Sequence, residues 1–201
     1  MRVSRVQAEE NRQTVINVAS RLFRENGFDG IGLKDLMEAA GLTQGAFYKQ
    51  FASKDDLAAQ ASERALESAF RRWSAAAEAN PKDPLGAVIA FYLSMGHREE
   101  RGDGCPVVAL GSDAARQGAD VKASFEAGIR KYLQMLGHWV GEPDGEDSTD
   151  KAMAILSTMV GALVLSRAVN NKRLSKRFLQ AAAKNVLVRS SAGEAQQGPR
   201  P

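Results

Sequence analysis

The chain has 201 residues, 44% hydrophobic and 25% charged, with a formal net charge of +3; that balance is ordinary for a soluble globular protein and allows one compact domain or two small ones. No run of about 18 apolar residues is present, so no membrane span is expected. A single cysteine excludes an intrachain disulfide framework and fits a reducing cytoplasm.

Arg2 and Arg5 are followed by Gln7, Glu9, Glu10 and Asn11 instead of an apolar core, which is not a secretory pattern. Between Met1 and Lys54, eight Lys and Arg stand against six Asp and Glu, a net of +2. Bulk charge therefore makes no case for nucleic acid; the local pattern must.

Ala8 to Asn26 reads as a helix with Val15, Ile16, Ala19, Leu22 and Phe23 on one stripe and Gly27 at its end. Arg2, Arg5 and Arg12 precede or open it, either as a solvated tail or as an arm touching phosphate or a minor groove. Phe28 to Gly32 is a turn, and Gly32 stands at an N-cap position without a hydroxyl. Leu33, Leu36, Met37 and Ala40 then mark a short helix face. Gly41-Leu42-Thr43 follows: Gly41 can take the left-handed conformation that ends a helix, and Thr43 can cap the next. That next helix runs from Gln44 to about Phe51, apolar at Ala46, Phe47 and Phe51. Its other side, Gln44, Gly45, Tyr48, Lys49 and Gln50, carries no acid. A short helix with such a face, braced by a preceding helix, is what a helix-turn-helix places in a DNA major groove.

Ser53 and Asp56 resemble a capping box opening a long helix to about Ala79, with Leu57, Ala61, Ala65, Ala69 and Trp73 as its stripe. Asn80 to Pro84 breaks it. Further helices are predicted over Pro84 to Arg98, Cys105 to Gln117, Ala119 to Val140, Asp150 to Asn170 (capped by Ser148 or Thr149) and Lys172 to Arg189, about nine in all. Gly141 to Asp147 reads as an acidic loop and residues 190–201 as a disordered tail. No alternating strand pattern and no repeat appears.

Asp150 to Asn170 is apolar nearly all round, so it must be covered on every side, as a monomer's central helix or by a second copy of the chain. From Arg167 to Arg189 there are seven basic residues and no acidic one. They read as a solvated face with favourable charges at helix C-termini.

Residues 8–57 resemble the DNA-binding domain of the TetR family of bacterial transcriptional regulators. The resemblance rests on Ala19-x-x-Leu22-Phe23-x-x-x-Gly27-Phe28 and on Leu33-x-Asp35-Leu36-x-x-Ala39-Ala40-Gly41-Leu42-Thr43-x-Gly45-Ala46-Phe47-Tyr48-x-x-Phe51-x-Ser53-Lys54-x-x-Leu57. It implies an all-α homodimer without cofactor or metal. A three-helix DNA-binding head (residues 1–53) would precede a helical ligand-binding and dimerisation domain (residues 54–189) that pairs through its last two helices. The implied partners are double-stranded operator DNA and a small-molecule effector, with no membrane. By position, Thr43, Gln44, Gly45, Tyr48 and Lys49 would face the groove or its backbone, Lys54 would bind phosphate, and Lys34 stands where members often have Arg. Gly32 departs from the usual Thr or Ser.

Gly104 to Asp113, GCPVVALGSD, resembles a Gly-Cys segment in one branch of that family. Pro106 favours the first helical position, which makes Cys105 the N-cap, where a helix dipole favours thiolate; Arg98 and Arg101 are near in sequence. A sensor is therefore expected at Cys105 or in an apolar pocket lined by Phe91, Tyr92, Met95, Val108, Tyr132, Met135, Leu136 and Trp139. His97 and His138 lack metal-ligand spacing. The alternatives are a cysteine-dependent enzyme with one of these histidines as base, and a helical interaction module with no DNA role.

Overall fold

The computed structural model describes residues 4–140 and 146–194. Among them are ten helices and no strand: α1 Arg5–Asn26, α2 Leu33–Ala39, α3 Gln44–Phe47, α4 Lys54–Ala79, α5 Pro84–Tyr92, α6 Met95–Glu99, α7 Pro106–Ala114, α8 Ala119–Val140, α9 Glu146–Ala168 and α10 Lys172–Glu194. The all-α expectation holds, with one helix more than the sequence reading. The predicted helix over Pro84–Arg98 is two helices, because Ser94 opens α6 by accepting the His97 N–H at 3.0 Å. The apolar stripe continues across this break, which hides it from periodicity.

Four further boundaries differ. α1 begins at Arg5, where the Ser4 hydroxyl accepts the Gln7 N–H at 3.1 Å. Arg5 and Arg12 therefore lie in a helix, and Arg2 lies outside the described residues. α3 is a single turn, ending at Phe47 instead of Phe51. α9 starts at Glu146, so Ser148 and Thr149 sit inside it and not ahead of it; residues 141–145 of the acidic loop are outside the described residues. α10 reaches Glu194, so residues 190–194 of the expected tail are helical, and 195–201 are outside the described residues.

The helices form two compact units that do not follow chain order. One joins the residues up to Ala69 with Arg101–Gly128, and the other joins Phe70–Glu100 with the residues from Ile129 onward. In the first unit the α1 stripe of Val15, Ile16, Ala19 and Phe23 is buried, as are Leu36 and Met37 of α2, Phe47, Phe51, and Leu57, Ala61 and Ala65 of α4. Phe23 meets Phe28 edge-on at 5.3 Å, and Phe47 stacks on Phe51 at 5.3 Å. Burying each such ring stabilises by about 1.5–3 kcal/mol relative to exposure. α1 packs on both α2 and α7, and Leu110 and Ala114 of α7 complete this core with Val121 and Phe125 of α8. Within the same unit α8 approaches α4 closely at Gly128, where a Cβ would fall 2.7 Å from the Leu66 side chain.

The second unit centres on Trp73. Its ring lies 4.6 Å from Tyr132 and meets Tyr92 edge-on at 5.4 Å. α9 and α10 are joined by three residues and pack together, burying Ala152, Ile155, Met159 and Leu163 with Ser175, Leu179, Ala182 and Val186. The last four recur at i, i+4, i+7 and i+11, one face of a helix. By length and composition alone Ser148–Ala168 is apolar enough to cross a membrane, a test that a core helix also passes; here one side of it is packed core. Its other side leaves Met153, Val164 and Leu165 exposed, as α10 leaves Leu187 and Val188.

Two arginines clasp α6 to α9. Arg98 donates to the Ser166 carbonyl at 3.1 Å, and Arg167 donates to the carbonyls of Arg98 and His97 at 2.9 Å and of Glu100 at 3.2 Å. Each guanidinium thus satisfies carbonyls that a helix end leaves open. Arg167 belongs to the basic run read as a solvated face, and this correction follows from its distant partners. Lys172, Arg173, Lys176 and Arg177 of the same run are exposed and open α10. They sit at its N-terminal end, not at a C-terminus, where the dipole disfavours cations.

His97 is buried against Phe91 and Tyr92, and its Nδ1–H donates to the Tyr92 carbonyl at 2.7 Å. Burial lowers its pKa, and the charges of Arg167 and Arg72 add to this against the Tyr92 carbonyl and Glu100. Folded His97 therefore stays neutral below the ordinary histidine pKa of about 6.5, where the unfolded chain takes up a proton. Its stability is fully present above about pH 6.5 and is lost as the pH falls from there toward the depressed folded value. Urea titrations between pH 7.5 and 5.5 are expected to show this loss in the wild type and a flatter profile in His97→Gln.

Candidate nucleic-acid interface and thiol site

α2 ends as its sequence dictates. Gly41 adopts φ 71°, its N–H donates to the Glu38 carbonyl at 2.9 Å, and the Leu42 N–H reaches the Met37 carbonyl at 2.9 Å. This is the paired-bond glycine termination, which a residue with a Cβ enters only with strain. Thr43 is the N-cap of α3 as expected, but its hydroxyl makes no capping bond; its carbonyl accepts the Ala46 N–H at 3.0 Å.

α3 buries Phe47 and presents Gln44, Gly45, Tyr48 and Lys49 to solvent, with Thr43 beside them. Tyr48 is 68% exposed, its ring edge-on to Phe47 at 5.3 Å. A Cβ on Gly45 would meet nothing within 4 Å, so the fold itself does not require glycine there. Lys34 is exposed in the first turn of α2, 3.8 Å from Glu38, an exposed pair that contributes little.

Lys54 is placed otherwise than at an open surface. Half-buried, its ammonium donates to the Ile31 carbonyl at 2.8 Å and lies 6.0 Å from the Phe23 ring centre. Ser53 accepts the Asp56 N–H at 3.0 Å while Asp56 accepts the Ala52 N–H at 3.0 Å, so the predicted cap of α4 is present. Arg12, read either as part of a solvated tail or as part of an arm, bonds Gln60 and lies 5.5 Å from the Phe51 ring centre.

Cys105 is the N-cap of α7 with Pro106 in the first turn, as the sequence indicated, and it is only 3% exposed. Its first-unit location puts it in the same compact body as the helix-turn-helix. Arg98, expected to assist it, is committed to Ser166, and Arg101 is exposed. A cation that sequence reasoning missed, Arg24 of α1, instead donates to the Gly104 carbonyl at 3.0 Å. No local signal marks it, because the two residues lie 80 positions apart.

Of the expected pocket residues, Tyr92, Tyr132 and Leu136 are fully buried in the second unit, and Trp73 brings the two tyrosines together. Phe91, Met95, Met135 and Trp139 are half-buried in that unit. Val108 lies on α7 of the first unit. A groove of about 460 Å3 between α8 and α9 is lined by other residues, among them Arg130, Gln134, His138 and Met153. No group of three or more His, Cys, Asp or Glu placed to hold a metal occurs among the described residues.

Residues 15–61 match the family model described as bacterial regulatory proteins, tetR family. The chain is 31% identical over 103 residues to the HTH-type transcriptional regulator AcrR of Shigella flexneri, covering 50% of this chain and 48% of that protein. It is 22% identical over 130 residues to the HTH-type transcriptional repressor NemR of Escherichia coli K12, covering 63% of this chain and 65% of that protein. The matches thus span about half to 65% of the length of these curated relatives. Among solved structures, reduced E. coli NemR superposes with a TM-score of 0.72 at 20% identity, over 88% of this chain and 95% of that one. A TetR family regulator from Cytophaga hutchinsonii superposes with a TM-score of 0.75 at 20% identity, over 94% and 98%. At these identities the superpositions establish the fold.

Gly45→Ala separates folding from recognition. The variant is expected to melt at the wild-type temperature or above it, since alanine gains up to about 1 kcal/mol over glycine in a helix. Its affinity for operator-length DNA is expected to fall about tenfold, because the methyl group occupies the space of a close backbone approach. Calorimetry and fluorescence anisotropy on the same preparation measure the two effects.

Proposed function

Since the chain belongs to the TetR family of bacterial regulatory proteins, we propose that it is a homodimeric, operator-binding repressor acting in the cytoplasm. Its release from DNA is controlled by a small-molecule effector or by modification of Cys105. The observation that carries the DNA reading is the α3 face. Gln44, Gly45, Tyr48 and Lys49 are exposed side by side, without an acid, on a turn whose Phe47 is buried. Gln44 suits bidentate pairing with an adenine edge, Lys49 reaches guanine or phosphate, and Tyr48 donates to phosphate. Thr43 and Lys34 flank this face as backbone contacts. Lys54, already bonded to Ile31, adds positive charge behind it.

The homodimer reading rests on the exposed apolar residues of α9 and α10, Met153, Val164, Leu165, Leu187 and Val188. A second copy covers them, and a dimer presents two heads to half-sites one helical turn, about 34 Å, apart. The effector reading is supported by the groove between α8 and α9, which offers apolar surface at Leu133 and Met153 and polar handles at Arg130, Gln134 and His138.

Anisotropy titrations with the DNA flanking the gene test the DNA reading. Affinity is expected to fall steeply between 50 and 200 mM salt, by about 10³-fold if six or more phosphates are contacted. Lys49→Ala is expected to reduce the salt slope by about one per head. A flat salt response, or equal affinity for unrelated DNA at all salt concentrations, removes the operator reading.

The thiol reading is tested with N-ethylmaleimide. Alkylated wild type is expected to lose operator affinity by at least about tenfold, while treated Cys105→Ser keeps it. Equal loss in both proteins, or none in the wild type, leaves the effector pocket as the sole control.

A further inference from the structure

Arg24 is a buried cation in the first unit, its side chain 4% exposed. Burying a guanidinium is costly unless its donors are met. Here Nε–H donates to the Ser20 carbonyl at 2.9 Å, one terminal nitrogen to the Ser20 hydroxyl at 3.3 Å, and the other to the Gly104 carbonyl at 3.0 Å. The Asp103 carboxylate lies 3.8 Å away and is itself largely exposed. Two of the bonds anchor Arg24 within α1. The third reaches the peptide group that joins Gly104 to Cys105.

That peptide matters because its N–H belongs to Cys105. The plane of one amide holds both the Gly104 carbonyl and the Cys105 nitrogen, so neither moves without the other. Gly102 presses the same segment onto α1, for a Cβ there would lie 2.3 Å from Glu25 Oε1 and 3.0 Å from the Arg21 side chain. At the other end of α7, a Cβ on Gly27 would lie 2.8 Å from Asp113 Oδ2. α1 is therefore held to the thiol segment and to α7 at separate points. The same helix carries Val15, Ile16, Ala19 and Phe23 into the core beneath the helix-turn-helix.

We propose that Arg24 is the positioning residue through which the state of Cys105 reaches the DNA-binding head; this rests on the reading of Cys105 as a sensor. A maleimide adds without any redox partner. A Sγ–C bond forms as the C=C π bond breaks, the thiol proton leaves to water, and the enolate carbon takes a proton from water. The adduct has no room at a 3% exposed position, so the Gly104–Cys105 peptide is displaced and its carbonyl leaves Arg24. The buried guanidinium then loses that acceptor, and α1 loses its tie to the segment that leads into α7.

Arg24→Met and Arg24→Lys in the full-length protein test this, with two readouts. One is the rate of Cys105 labelling by N-ethylmaleimide, followed by mass spectrometry. The other is the ratio of operator affinities before and after complete alkylation. Arg24→Met is expected to label about tenfold faster, the weight of one charge-assisted hydrogen bond. Unmodified, it is expected to bind operator about as weakly as alkylated wild type, with little further loss on alkylation. Arg24→Lys, which keeps the charge but not the fork of donors, is expected to fall between the two in both readouts. A merely stabilising Arg24 would lower the melting temperature and leave the affinity ratio at the wild-type value, and that result overturns the proposal. If Arg24→Met does not give a cooperative melt, Arg24→Lys decides by the same criteria. Alkylated wild type that binds operator undiminished overturns the sensor reading and this proposal together. A wild type that releases DNA beside Arg24 variants that release it equally overturns the Arg24 proposal alone.

Discussion

A helix of four residues has no stability of its own, because one turn fixes several backbone dihedrals for a single hydrogen bond. α3 exists because Phe47 and Phe51 are buried beneath it, stacked on one another. Gly41 and Thr43 set the angle at which it leaves α2, and Ser53 with Asp56 restarts the chain as α4. The exposure of Gln44, Gly45, Tyr48 and Lys49 follows directly: with one side of a single turn anchored in the core, the other has nowhere to go but solvent.

The same core reaches further than the head. α1 lies against α2 and also against α7, so the helix beneath the helix-turn-helix is the helix that bears on the Cys105 segment. Both lie in one compact body. Packed cores are bistable and do not deform continuously, so a displaced peptide at one edge is felt across the unit.

Cations in this chain are used for architecture as much as for charge. Lys54 holds the Ile31 carbonyl, Arg24 the Gly104 carbonyl, Arg98 the Ser166 carbonyl, and Arg167 three carbonyls at the end of α6. Each bond meets a backbone acceptor at a turn or helix end, and the Ser166 carbonyl accepts from the Ser175 hydroxyl as well. In the head, Arg12, Arg24 and Lys54 are committed to internal partners, while Arg5, Arg21, Lys34 and Lys49 remain exposed.

Legible in the chain alone are the helical periodicities, the glycine termination at Gly41, the Ser53–Asp56 cap, the Cys105–Pro106 start of α7 and the outward face of α3. These are set by neighbours within about four residues, the range over which helix hydrogen bonds and side-chain stripes operate. The short α3 was partly legible: Phe47 and Phe51 keep their i, i+4 pairing and the Phe51 N–H still reaches the Phe47 carbonyl, although regular helix ends after one turn. The break at Ser94 had a local signal, a serine three residues before His97, masked by an apolar stripe that ran through it. Only the tertiary structure decided that α7 joins the unit containing the head, that Lys54 and Arg12 turn inward, and that Arg24 and Arg167 are structural cations. Their partners lie from 23 to 80 residues away. A pattern that repeats every 3.6 residues carries no record of such distant acceptors.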